Sequence, residues 1–250
     1  MLSPLVLAGL AAVVTATTFL SGIFGLAGGI ILLGVLLVFL DVVPAMLLFG
    51  VIQGFASLWR GGLLLKYVRW DIIWRYMLGS AAAFVVLRWV SFVPDKATVY
   101  LALGLLPFAA DLLPRSLSPN ITRPGAPYVC GGLIMVVQLL AGAAAHITDI
   151  FFQKSNLDRM TVVATKSVTQ VVGHAFRIAY FGSYAAALDA PLPWWWIASV
   201  LGCVVVGTTL AGFVLRRMTD DSHRRWTKWL IVFVSAVYLA RGIWLVLEGG

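Results

Sequence analysis

Charge is what this sequence has least of. Asp, Glu, Lys and Arg make up 11% of its 250 residues, against 61% hydrophobic, where a soluble domain carries about a quarter. So little charge excludes a surface turned wholly to water. No stretch is long, polar and patterned enough to make a second, soluble domain. Acidic residues are the scarcer sign, 10 against 18 basic, for a net charge of +8. On a soluble protein that balance would suggest nucleic acid. Here the basic residues sit mostly in short loops between apolar runs, as cytoplasmic loops do under the positive-inside rule, so no nucleic-acid partner is expected. Of cysteines there are two, Cys130 and Cys203, both inside apolar segments, which favours buried packing over a disulfide. No zinc-ligand spacing, P-loop or nucleophile elbow occurs, so neither a metal, another cofactor nor enzyme chemistry is expected. Residues 1–20 lack a basic n-region, and apolar character continues into Ile23–Leu40, against a cleaved signal peptide.

What is present is a series of long apolar runs: Leu5–Leu40, Ala45–Leu65, Ile72–Val90, Ala97–Leu113, Pro127–Phe152, Met160–Phe181, Trp194–Leu215 and Trp226–Leu247. They predict an all-α polytopic membrane protein, a single membrane domain over 1–250 with about eight helical segments. Ten tryptophans, several near the ends of these runs, suit the aromatic belt of a membrane interface. Leu5–Leu40 is too long for one crossing and carries Gly22, Gly25, Gly28 and Gly29, while Pro127–Phe152 is interrupted by Gly142, His146, Thr148 and Asp149. Each reads as a broken or re-entrant helix, which survives at membrane depth only where protein buries it or water reaches it. If both enter and leave on one side, six full crossings remain, and twelve loop cations fall on one face against three (Arg88, Lys96 and Arg241) on the other. The positive-inside rule favours that arrangement, with both termini outside. The run from Arg216-Arg217 to Lys228 reads as a solvated cytoplasmic loop.

An internal repeat accompanies the breaks. Gln53-x3-Ser57-x2-Arg60 returns 117 residues later as Gln170-x3-His174-x2-Arg177, each after a broken segment. The repeats run over about 1–113 and 126–250. Three spans in each half would invert one half relative to the other, a recurring transporter plan with substrate held between the halves. On a helix the i, i+4, i+7 spacing puts Gln53, Ser57 and Arg60 on one stripe and Gln170, His174 and Arg177 on another, which Lys166 extends. Gln170 sits roughly 15 Å into a span beginning near Met160, close to the midplane. Buried glutamines can equally hold helices together, arginines near span ends can snorkel, and Lys166 can pair with Asp149. At the second break, His146 and Asp149, with His174 nearby, are candidates for proton coupling. At the first, Gly25, Gly28 and Gly29 let backbone approach a ligand, and a half-helix starting near Gly29 would aim free N–H groups at an anion; close helix packing is the alternative for each glycine.

The stretch Thr148-Asp149-Ile150-Phe151-Phe152, then Val163 through Gln170, Gly173-His174 and Arg177, resembles the sulfite exporter TauE/SafE family, as does the glycine-rich Ser21-Gly22-Ile23-Phe24-Gly25-Leu26-Ala27-Gly28-Gly29. The resemblance spans essentially the whole chain. It implies a two-repeat secondary transporter of the bacterial inner membrane that moves sulfite, a sulfonate such as sulfoacetate, or a related small anion, usually outward. The family's motifs fall on the glycine-rich break and on the helix carrying Thr165, Lys166 and His174. Where relatives often have Gly-Pro before the Asp-x-Phe-Phe element, this chain has Ala145-His146-Ile147-Thr148, which leaves the substrate open.

The residues expected to hold the anion are therefore Gly25, Gly28, Gly29, Gln53, Ser57, Arg60, Thr165, Lys166, Gln170, His174 and Arg177. Arginine and lysine would supply the positive field, and amide, hydroxyl and imidazole groups the hydrogen bonds. The expected partners are a small anion and the lipid bilayer, and a homodimer is compatible with the sequence. Uptake in place of export, a non-transporting assembly subunit and an intramembrane enzyme or thiol carrier are the competing readings.

Overall fold

The computed structural model describes residues 4–24, 26–111, 119–185, 194–215 and 217–248. Among these, ten α-helices and no strand are found: α1 (Pro4–Phe24), α2 (Leu26–Phe39), α3 (Val42–Leu63), α4 (Trp70–Val90), α5 (Lys96–Asp111), α6 (Ala126–Ala141), α7 (Ala145–Phe152), α8 (Arg159–Ala185), α9 (Trp194–Leu215) and α10 (Asp220–Leu247). The helices α3 and α4, and residues Arg225–Leu247 of α10, are long and apolar enough to cross a bilayer, and shorter apolar helices stand beside them. Besides the apolar core, many large apolar side chains face outward and several polar ones are buried. Trp89 is 90% and Phe39 75% exposed, while Thr165 and Arg177 are fully buried. Large apolar groups turned outward and polar groups turned inward suit a lipid surround, and the chain is a polytopic membrane protein.

Both broken segments form hairpins. Beyond Phe24 the chain doubles back, and the backbone of Gly28 in α2 lies against Thr17 and Ser21 of α1, leaving no room for a side chain. α6 opens with Pro127, whose missing N–H has no intrahelical partner there, and stops at Gly142, whose φ of +81° favours glycine. α7 then returns beside α6. Ile121 N–H donates to Phe151 O at 2.9 Å and Asn120 Nδ2 to Lys154 O at 3.0 Å, so this hairpin is left where it was entered. Elsewhere the turn chemistry is local. Before α8, Asp158 accepts from Thr161 N at 3.1 Å and Thr161 Oγ1 at 2.5 Å, and these bonds hold its carboxyl below the usual range.

Two elements extend beyond their apolar runs. α8 continues past Phe181 to Ala185. The charged stretch read as a loop is instead helical from Asp220, because Thr219 caps α10 by accepting from Ser222 N–H at 3.3 Å. Capping satisfies an end N–H whatever the hydropathy of the first turn, so an apolar window misses it.

The helices pair in an ordered way. α3 packs on α8, α5 on α10, α1 on α9 and α4 on α6. These pairings are unchanged when α1–α5 are exchanged in order for α6–α10. α3 and α8 run antiparallel, with Gly50 beside Arg177 and Gly61 beside Ser167. α5 and α10 meet through Tyr100-Leu101-Ala102-Leu103-Gly104 and Tyr238-Leu239-Ala240-Arg241-Gly242, near-identical segments. A Cβ at Gly104 would come within 2.7 Å of Leu239 Cγ, and one at Gly242 within 2.8 Å of Leu101 Cγ. The Tyr100 and Tyr238 rings lie edge to face, centroids 5.5 Å apart.

Candidate functional site

Between α3, α6 and α8, next to both hairpins, is a cavity of about 70 Å³ counted as room for the centre of a water molecule. One water needs roughly 10–15 Å³ on that measure, so several waters or one small polyatomic ion fit. The first polar stripe enters it as Gln53, Ser57 and Arg60, the second as Gln170, His174 and Arg177, and Gly29 of α2 closes one side. Because α3 and α8 are antiparallel, the stripes meet head to tail. Ser57 Oγ donates to Gln170 Oε1 at 3.3 Å, leaving the Gln170 NH2 as a donor.

The two arginines differ in surroundings. Arg177 is fully buried and its Nη2 donates to the carbonyls of Gln138, at 2.9 Å, and Gly142. It thus caps the carbonyl end of α6, where a cation complements the helix dipole. Its guanidinium also lies 4.8 Å from the Phe49 ring centroid, and its Nη1 is 3.3 Å from His174 Nδ1. A guanidinium has no acceptor, so His174 Nδ1 accepts and the imidazole carries its proton on Nε2. Arg60 makes no such bonds. Its Nε is buried without a partner, as are Gln53 Nε2, Gln138 Nε2 and Arg177 Nε. Among the described residues no carboxylate lines the cavity, and neither arginine has an ion pair. Four buried N–H groups without a protein partner thus belong to residues that line the cavity, together with two guanidinium groups that have no acidic partner among the described residues.

The remaining expected site residues lie elsewhere. Lys166 Nζ pairs with Asp149, outside the cavity lining, which is the structural bridge that the sequence also allowed. Thr165 is fully buried and its Oγ1 accepts from Arg69 N–H at 3.1 Å, tying α8 to the turn before α4. Gly28 serves the α1–α2 contact, and α2 begins at Leu26, ahead of the expected half-helix start at Gly29. Gly25 lies outside the described residues. His146 does not line the cavity. Conversely, Gln138, Thr148, Thr169, Ser21 and Tyr76 line it without having been singled out as anion ligands. For Gln138 the signal was present: a lone amide in the apolar run of α6, the same feature that marks Gln53 and Gln170.

The sequence profile of the sulfite exporter TauE/SafE family matches residues 10–239. The chain belongs to the sulfite exporter TauE/SafE family. As a TauE/SafE protein it is an integral membrane transporter of the sulfur-anion class, and its donor-rich, acid-free cavity suits such a substrate. No curated protein and no solved structure matches the chain. Cys130 and Cys203 are both free thiols, and neither lines the cavity.

Proposed function

We propose that this protein carries a small sulfur oxyanion, sulfite or a compact sulfonate such as sulfoacetate, outward across the bacterial inner membrane by alternating access. The observation that carries this reading is the set of four buried, unpartnered N–H donors on residues lining a cavity that, among the described residues, no acidic side chain lines. An oxyanion supplies acceptors for these donors, and among the described residues the charge of Arg60 has no counter-ion. The exchange-invariant helix pairing and the antiparallel α3–α8 contact support two inverted repeats, residues 1–113 and 126–250, with substrate bound where they meet. Six crossings with both termini periplasmic agree with the α6–α7 hairpin returning to its own side. No nucleotide-binding motif occurs in the sequence, so ion gradients or the anion's own gradient drive the movement. His174, held as a neutral donor by Arg177, then contributes a hydrogen bond to the anion.

The test is flux into proteoliposomes across sulfite, thiosulfate, sulfoacetate and taurine. Sulfite and thiosulfate are expected to move. Taurine is expected to be the poorest substrate, because its ammonium group finds no carboxylate among the described residues lining the cavity. Flux of none of the four, or taurine moving fastest, would overturn the proposal.

A further inference from the structure

Gln138 contributes to this site in a way that packing does not explain. Its main-chain carbonyl is occupied, taking Gly142 N–H at 3.1 Å and Arg177 Nη2 at 2.9 Å. The residue is 7% exposed, and its Nε2 is buried without a protein partner. A buried amide N–H left without any partner destabilises a protein, so it persists where a water or a ligand in the cavity completes it. The amide is also seated by design of the neighbouring helix. A Cβ at Gly173 of α8 would come 2.8 Å from Gln138 Oε1 and 3.0 Å from Nε2, so only glycine leaves the carboxamide its place. Gln53 repeats the arrangement on α3, with its Nε2 unpartnered and 3.3 Å from where a Cβ at Gly29 would stand. Two glycine-seated carboxamides from different helices thus border one cavity that Arg60, whose Nε is buried and unpaired, also lines.

We infer that Gln138 is an anion-coordinating residue acting with Gln53, and that Gly173 sets how far its carboxamide reaches toward the bound oxyanion. The inference rests on the anion-transport reading above and deepens it. Two separate NH2 groups can each take a different oxygen of a pyramidal or tetrahedral ion, whereas a spherical halide offers one centre to both. Gln138 therefore favours polyoxygen anions over chloride.

Purified full-length protein tests this with sulfite as the probe, by affinity and by proteoliposome flux, alongside melting temperature. Gln138→Leu is expected to weaken sulfite binding about ten- to a hundredfold, the loss of one hydrogen bond to a charged group. Its ligand-free melting temperature should not fall, because an orphan amide is replaced by an apolar group of similar size. Gly173→Ala keeps Gln138 and displaces it, so sulfite affinity falls in the same direction by a smaller factor, while chloride affinity changes less. Wild-type sulfite affinity in Gln138→Leu would overturn the inference. If that variant fails to fold, Gly173→Ala decides, and an unchanged sulfite-to-chloride preference overturns it. If the wild-type protein neither binds nor moves sulfite, the transport reading falls and this one with it; sulfite flux retained equally in wild type and Gln138→Leu removes only the role of Gln138.

Discussion

Replacing each arginine of the cavity by methionine should move stability in different directions. Arg177 anchors the end of α6: without it the buried Gly142 carbonyl loses its donor, at about 1–3 kcal/mol, and the desolvated contact over Phe49 is lost, at about 2 kcal/mol. Arg177→Met should therefore destabilise the ligand-free protein by roughly 3–5 kcal/mol, a fall in melting temperature on the order of 10 °C. Arg60 holds nothing in the ligand-free state. A lone arginine at the centre of a membrane helix costs about 2.5–3.5 kcal/mol, and Arg60 lies three residues before the end of α3, so removing it relieves a fraction of that. Arg60→Met should leave the ligand-free melting temperature unchanged or slightly raised. The response to substrate is where Arg60 counts. Sulfite at a hundred times its dissociation constant stabilises the wild type by about 2.7 kcal/mol. Losing a charge-assisted bond weakens affinity about ten- to a hundredfold, leaving about 0.4–1.4 kcal/mol at the same concentration. Thermal melts of both variants with and without sulfite measure all four quantities. Equal destabilisation of the two ligand-free variants, or full sulfite stabilisation of Arg60→Met, would refute the division of roles.

Two further outcomes follow from the geometry. Gly142→Ala puts a Cβ at a φ of +81° and against Leu33 and Met46, so about 1–2 kcal/mol of backbone strain plus about 1–3 kcal/mol of overpacking should lower the melting temperature, as thermal unfolding would report. Lys166→Met should change sulfite flux little and stability by less than about 1 kcal/mol, because the ion pair with Asp149 is partly exposed, at 25% and 51% of the two side chains; abolished flux in a stable variant would return Lys166 to the transport path.

The membrane class, the helical runs and the two breaks were legible in the sequence because lipid imposes a one-dimensional rule: a span must be predominantly apolar over its length. The polar stripes were legible for a related reason. Gln53, Ser57 and Arg60, like Gln170, His174 and Arg177, are expensive in lipid and share a helix face by spacing alone, and all six line the cavity. The repeat Tyr100-Leu101-Ala102-Leu103-Gly104 and Tyr238-Leu239-Ala240-Arg241-Gly242 was present too, but apolar identity is cheap in a membrane chain, and its meaning shows only when each glycine is found against the other segment's leucine.

Division of labour within the polar set was decided by the fold. Lys166 shares a helix face with Gln170, yet Asp149 comes within reach because α7 turns back, and the lysine is drawn to it away from the cavity. Arg60 and Arg177 hold equivalent places in the sequence repeat, but the carbonyls of Gln138 and Gly142 are brought to only one of them, so one arginine is a helix cap and the other an unpaired charge. Gln138 became a candidate ligand only when α6 was seen to place it over Gly173. Spacing along one helix determines which residues share a face. Which of them finds a partner depends on the carbonyls, carboxylates and glycines that other helices deliver, and that is a property of the tertiary structure.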